Sequence, residues 1–523
     1  VASFDYVIVG SGSGGSVLAG RLAEQQSGSV AVIEAGGSDR SLAVRIPAAF
    51  PQLFRTDRDW EYYSDPEPGL MGRRLYIPRA KMLGGCSSMN AMLYVRGHRA
   101  DYDSWAEAGA KGWSYDEVLP YFRRSESFTR GGDEYRGDDG PLLVDDHRSR
   151  TGLTESLVEA SQQAGLTFNP DYNGAEQEGV SYLQVTQRNG DRWSAVDAWL
   201  RPAMRRRKVT VRTKTPALRL EFTDGRATGV WVQGKSGPEL IRAEREVILS
   251  AGAIGSPQLL MLSGIGPADH LRELGIDVVV DNPHVGAHYQ DHPFYLLNWE
   301  TEAKGTLAEA ESLRQMASFF LRGRGLLTST VAEATAFLRT DAALPAPDLQ
   351  LHYGAAYFHN HGFDTHPNPA FVIAPTLVAP QSRGRITLRT ADPADKPSIL
   401  GNHLTEQADV DAMVAGVELA REIVAQEALS GVRGRELHPG EHVVDRAGIE
   451  KELRRETELI YHPTSTARMG VAGEGVVDNE LRVFGVEGLR VVDASVFPTI
   501  PRGNTNAATY MVAEKAADLI GGR

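Results

Sequence analysis

Apolar residues crowd positions 4–10 (FDYVIVG), a pattern that predicts a strand buried on both faces. Residues 16–25 (SVLAGRLAEQ) switch to helical spacing, with Val17, Leu18, Leu22 and the small Ala19 pointing inward. Residues 30–36 (VAVIEAG) return to a buried strand, which completes a strand–helix–strand unit. Two later runs, 245–253 (REVILSAGA) and 488–495 (GLRVVDAS), read as further buried strands. Each ends in small or acidic residues, as a strand feeding a ligand crevice does.

The pattern changes from about residue 296 to 459. There a helix-like stretch at 409–424 (DVDAMVAGVELAREIV) stands among strand-like ones at 370–378 (AFVIAPTLV) and 384–390 (GRITLRT). The reading is a second, substrate-facing domain inserted into the first. The expected fold class is α/β: a Rossmann-like nucleotide domain from residues 1–155, 203–290 and 460–523, and a sheet-containing substrate domain from 156–202 and 291–459. A chain of 523 residues is too long for one simple core, which agrees with two units.

Composition narrows the partners. The net charge of −13 argues against general nucleic-acid binding. The tripeptide Arg205–Arg207 is too short for a nucleic-acid tail and reads as a solvated helix end. Cys86 is the single cysteine, so no intramolecular disulfide forms. It reads as a small packing residue, since no histidine or acid is spaced to activate it. No run of ~18 apolar residues and no secretory leader stand in the sequence, so the expected location is cytoplasmic, without a transmembrane segment.

The first strand runs into GSGSGG, which supplies Gly10, Gly12 and Gly15 as G-x-G-x-x-G. Such glycines permit the tight turn, the approach of a pyrophosphate and close helix–strand packing. Glu34 ends the second strand, where an acid can accept bonds from ribose hydroxyls. The motif alone does not separate NAD from FAD.

Longer motifs do. RAKMLGGCSSMNAMLYVRG (79–97), GAIGSPQLLMLSGIGP (252–267), VGAHYQDHP (285–293), YHPTSTARMG (461–470) and the C-terminal VVDASVFPTIPRGNTNAATYMVAEKAADLI occur in order. With them the chain resembles the glucose–methanol–choline (GMC) family of FAD-dependent oxidoreductases over nearly its whole length. The resemblance implies that Gly84, Gly85 and Ser88 line the flavin and that Asn90, Ala91 and Met92 hold its ring end. It implies that Val211 meets the adenine through its backbone and that Asp493 and Ala494 reach the ribityl and pyrophosphate part. The substrate segment is most similar to the choline-oxidase branch. Met89 stands where that branch has a flavin-linking histidine, so the FAD is expected to be non-covalent. Glu333 matches a substrate glutamate, but Val331 and Ala332 stand where aromatic residues would box a cation.

The activity so implied is oxidation of an alcohol, a primary one by preference, to an aldehyde or ketone. The partners are a small alcohol and oxygen or another electron acceptor. Hydride passes to flavin N5, and a histidine takes the hydroxyl proton. His462 is the expected base and Asn506 its hydrogen-bonding partner. Residues 446–460 read as a helix with Asp445 as a possible N-cap, and Pro463 disfavours helical geometry at His462. His352 positions the substrate oxygen, while Ile460 and Tyr461 belong to the substrate wall. His359, His361 and His366 sit in a Gly/Pro/Asn-rich surface or lid loop with no metal-site spacing. Two other readings remain open at this point: a non-redox lyase of the hydroxynitrile type, and a non-catalytic nucleotide-binding protein.

Overall fold

The computed structural model describes residues 2–522. Ala2–Val9 lies near the centre of a seven-stranded sheet, parallel to Val30–Ile33 on one side and to Gly237–Leu249 on the other. All four residues of Val30–Ile33 are buried, as an apolar, largely β-branched run covered on both faces must be. Val209–Arg212 extends the parallel part beyond Val30–Ile33, and Leu489–Val491 pairs in parallel with the end of Gly237–Leu249. The hairpin Ala217–Thr223 and Arg226–Gly234 adds an antiparallel wing.

Gly237–Leu249 starts earlier and stops earlier than the apolar pattern predicts. Its first half alternates polar and apolar residues because it pairs with the antiparallel wing. Its last three residues, Val247–Leu249, lie between Ala2–Val9 and Leu489–Val491 and form a continuously buried run. At Gly252 the chain turns into the helix Gly252–Leu262.

The second sheet has eight strands, all antiparallel. Arg433–His438, Leu297–Thr301, Ala370–Leu377, Leu349–Gly354, Ala332–Leu338 and Gly179–Tyr182 follow one another across it. The short Pro293–Phe294 and Glu458–Leu459 attach beside Ala370–Leu377. Helix Gln407–Ala425 covers one face with Val410, Met413, Val414 and Val417 buried. Side chains alternate between faces of a strand, so His352 with Gly354, and Val372 with Ala374, turn the other way, toward a cavity. Among the described residues no helix is long and apolar enough to cross a membrane.

Candidate active site

One cavity of about 990 Å³ connects the two sheets. Its walls run from the turn Val9–Gly14 and Glu34, past Met89–Leu93, to His352, Ala374 and His462.

The glycine-turn end is built from backbone. Gly10 has φ +99°, and a Cβ there would lie 2.3 Å from the Ser250 carbonyl oxygen. A Cβ on Gly15 would lie 2.0 Å from the Gly10 oxygen. Side chains are therefore excluded at both positions. Helix Ser13–Gln25 starts at Gly12 without a side-chain cap, which leaves its first N–H groups for an anion. Helix Asn506–Gly521 also starts uncapped, and Thr505, Asn506 and Thr509 line the same cavity. Glu34 Oε2 accepts from the Ser11 N–H (3.0 Å) and hydroxyl (2.7 Å), and Oε1 from the Gly36 N–H (2.7 Å). Burial raises its pKa, and these donors oppose the rise. Asp493 is held in the same manner by the Gly252 N–H (2.9 Å), Ser256 and Ser495.

The other end gathers histidines. Helix Arg446–Glu456 begins at Asp445, whose carboxylate accepts the Gly448 N–H at 2.8 Å. It ends four residues before the position that spacing predicts, because Glu458–Leu459 joins Pro293–Phe294 as a strand. The Ile460 N–H then donates to the His292 carbonyl at 3.0 Å. Strand pairing, more than Pro463, thus delivers His462. Asp291 Oδ1 accepts the backbone N–H of both His462 (2.7 Å) and His292 (2.8 Å), which fixes the two histidine segments together. His462 Nδ1 lies 3.0 Å from His292 Nδ1, and His462 Nε2 lies 3.2 Å from Asn504 Nδ2.

His352 Nδ1 meets the Thr376 hydroxyl at 3.1 Å, and its Nε2 is buried with no protein partner. Burial first, then His292, Arg79 and His352, push the His462 pKa well below the ordinary imidazole value. Burial brings His352 down to about 4 and His292 to about 3. Burial raises Asp291 to about 6 against its N–H donors. Several non-glycine residues at this end hold positive φ, among them Val331 (73°), Tyr461 (69°) and Ser465 (71°). For β-branched Val331 that conformation is strained, as backbone at functional sites often is.

The N- and C-terminal GMC oxidoreductase profiles match residues 4–294 and 380–513. The chain belongs to the GMC oxidoreductase family. It is 43% identical over 541 aligned residues to an oxygen-dependent choline dehydrogenase of Sinorhizobium medicae, covering 99% of this chain and 96% of that one. Among solved structures, pyridoxine 4-oxidase from Mesorbium loti superposes with a TM-score of 0.89 at 31% identity, covering 98% of each chain. Formate oxidase of Aspergillus oryzae RIB40, solved in a study of its FAD modification, gives 0.93 at 29% identity, covering 100% of this chain and 98% of that one. As a GMC oxidoreductase the protein is an FAD-dependent oxidoreductase acting on CH–OH donors. The residues present fit FAD: a glycine turn closed to side chains, two uncapped helix starts facing one cavity, and a buried acid at the end of the second strand.

Not every expected GMC site residue faces the cavity. Gly10, Gly12, Glu34, Gly85, Asn90, Ala91, Met92, Asp493 and Ala494 do, as do His352, Ile460, Tyr461, His462 and Asn506. Ser88 turns away, its hydroxyl donating to the Leu83 carbonyl at 2.8 Å, and Gly84 packs against it. Gly15 acts by packing, within the first turn of the helix. Val211 is taken up by the ladder to Val32, and Thr215–Leu218, past the end of that strand, line the cavity instead.

Glu333 departs furthest from expectation. Its strand alternates, so Ala332 faces the cavity and Glu333 faces the opposite side. There Oε2 accepts from the Thr151 N–H (2.9 Å) and Thr154 hydroxyl (2.6 Å), and Oε1 from the Ser329 hydroxyl (2.8 Å). The expected pairing of Asn506 with His462 is also absent. As the first residue of its helix, Asn506 turns its amide onto Tyr510 one turn ahead (2.8 Å) and accepts from the Ser13 hydroxyl (2.6 Å). Asn504 takes the place beside His462. Sequence reasoning misses Asn504, although GNTN offers two asparagines, and misses His292, although it stands inside the motif at 285–293. In the histidine loop, His361 is buried and its Nδ1 lies 2.6 Å from the Tyr461 hydroxyl.

Proposed function

We propose that the protein oxidises an alcohol, a primary one by preference, to the carbonyl compound, with His462 as the base and oxygen or another acceptor taking the electrons. The observation that carries this reading is the convergence of His462 Nε2 and Asn504 in the cavity that begins at the glycine turn. Bound FAD supplies the two-electron acceptor there.

In the tautomer with its proton on Nδ1, His462 donates to His292 Nδ1, and its Nε2 lone pair accepts from the Asn504 amide until the substrate hydroxyl takes that place. A neutral imidazole is what its burial favours. The Asn504 amide steadies the oxygen as its proton leaves. The unpartnered Nε2 of His352 supplies a second contact to that oxygen. Ile460 and Tyr461 exclude water from one side. Asn506 ties the final helix to the glycine turn through Ser13 and serves the cofactor end. The sheet containing Ala2–Val9 forms the core of the FAD half and the eight-stranded sheet that of the substrate half. Met89 lines the cavity where a linking histidine would stand, which supports non-covalent FAD; acid precipitation then leaves the yellow colour in the supernatant.

Choline, for which the Sinorhizobium medicae relative is named, is one alcohol to consider. The test is bleaching of the flavin band by alcohols under argon. His462→Ala that retains FAD and near-normal bleaching sinks the assignment of the base.

A further inference from the structure

We infer that the alcohol accepted at the His462 end is uncharged and carries an apolar body, an aromatic ring or alkyl chain, and that quaternary ammonium alcohols are turned away. The inference rests on His462 and Asn504 marking the reacting end.

Two apolar clusters meet there. Phe294, Leu296, Val372 and Ala374 form one, with Phe358 and Ile460 packed on it. Phe50, Phe54 and Met89 belong to the second, against which Val331, Tyr461 and again Phe358 pack. All of these line the cavity. An alcohol placed with its hydroxyl at His462 has its remaining surface against carbon.

Among the described residues, the acids near that end are turned away from the cavity or already engaged. Glu333 spends both oxygens on Thr151, Thr154 and Ser329, behind its strand. Asp291 faces the N–H groups of His292 and His462. Glu458 is buried beside His361 Nδ1 at 3.2 Å. None of the three lines the cavity. Of the acids that do, Asp59 accepts from the Tyr76 hydroxyl and from the backbone N–H groups of Arg55, Glu61 and Arg79, while Glu61 and Asp395 share their stretch of wall with Lys81 and Lys396. Arg79 brings positive charge close to His462 while its own donors go to the Pro78 and Tyr461 carbonyls.

The histidines gauge the same environment. His462, His352 and His292 are all driven toward the neutral form, first by desolvation. A site that strips protons from three imidazoles charges a similar penalty to an ammonium group. Aromatic faces can hold a cation, those of Trp most strongly; the aromatic residues of this wall are Phe50, Phe54, Phe294, Phe358 and Tyr461, with no Trp among them.

The test is anaerobic stopped-flow reduction of the holoenzyme by benzyl alcohol, 1-hexanol and choline. Benzyl alcohol or 1-hexanol is expected to give a second-order rate constant at least tenfold above choline. Choline within tenfold of the better apolar alcohol overturns this inference and leaves the proposed activity standing. Bleaching by none of them overturns both. Phe294→Ala, with flavin content unchanged, is expected to lower the benzyl alcohol constant relative to ethanol by roughly 10-fold or more. An unchanged ratio counts against the apolar wall, and Phe358→Ala repeats the measurement should Phe294→Ala not fold.

Discussion

At the scale of single residues, two asparagines separate two tasks. Asn504 stands 3.2 Å from His462, while Asn506 is engaged by Ser13 and Tyr510. Asn504→Ala should therefore slow anaerobic flavin reduction while the protein stays yellow. Asn506→Ala should act mainly on flavin content, read from the visible absorbance per chain. His462→Ala should slow reduction by roughly 10²- to 10⁴-fold, the usual range for removing a general base. The pH profile follows from the direction in which burial moves this imidazole. His462 works as a base only when neutral, and its pKa lies well below 6.5. The acid limb of kcat/KM belonging to this residue should thus fall below that value, with no loss from it between pH 7 and 9. A limb centred at pH 7 or above would rule it out as the titrating base.

At the scale of elements, the glycine turn and the strands set which side chains face the cavity. Gly10→Ala places a methyl 2.3 Å from the Ser250 oxygen, and Gly15→Ala one 2.0 Å from the Gly10 oxygen. Both should yield colourless or unfolded protein. Gly152→Ala is the control: nothing lies within 4 Å of its added Cβ, so flavin content and Tm should hold or rise slightly. Much of this level is legible in the sequence, because buried parallel strands and a glycine turn write themselves as local apolar runs and fixed spacings. The unit Ala2–Val9, Ser13–Gln25 and Val30–Ile33 lies where the pattern places it, within a few residues. Facing is harder to read. Glu333 and Ala332 are adjacent, and only strand register decides which one meets the cavity. Likewise, Glu458–Leu459 forms a strand solely because Pro293–Phe294, far away in sequence, offers it an edge. Such non-local pairings leave no local trace, so spacing alone extends the helix before His462 too far and gives no sign of its partner His292.

At the scale of the whole molecule, buried ionisable groups tie stability to pH. Glu458 is raised by burial to about 8 from 4.5. The native state keeps a proton that the unfolded chain has lost between those values, so this contribution is full below pH 4.5 and gone above pH 8. Its neighbour His361 is lowered by burial to about 3 from 6.5 and acts in the opposite sense, costing stability as pH falls through that interval. The pair together favours mildly acidic conditions. Glu458→Gln should remove this group's share of the alkaline decline and gain at least about 1 kcal/mol over the parent on going from pH 5 to pH 8, since a tenfold change in proton affinity on folding is worth about 1.4 kcal/mol. Thermal unfolding at the two pH values checks it, and parallel melting curves for parent and variant would refute it.

The sheet around Ala2–Val9 is closed at one side by Leu489–Val491, and the cavity by Thr505–Thr509. A chain emerging from the ribosome thus makes its first strand long before the strand and helix that finish the pocket exist. Capture of the cofactor must wait until Leu489–Val491 and Thr505–Thr509 have been made. The growing polypeptide meanwhile carries an unfinished parallel sheet whose apolar edge at Val247–Leu249 is open to chaperones or to neighbouring chains.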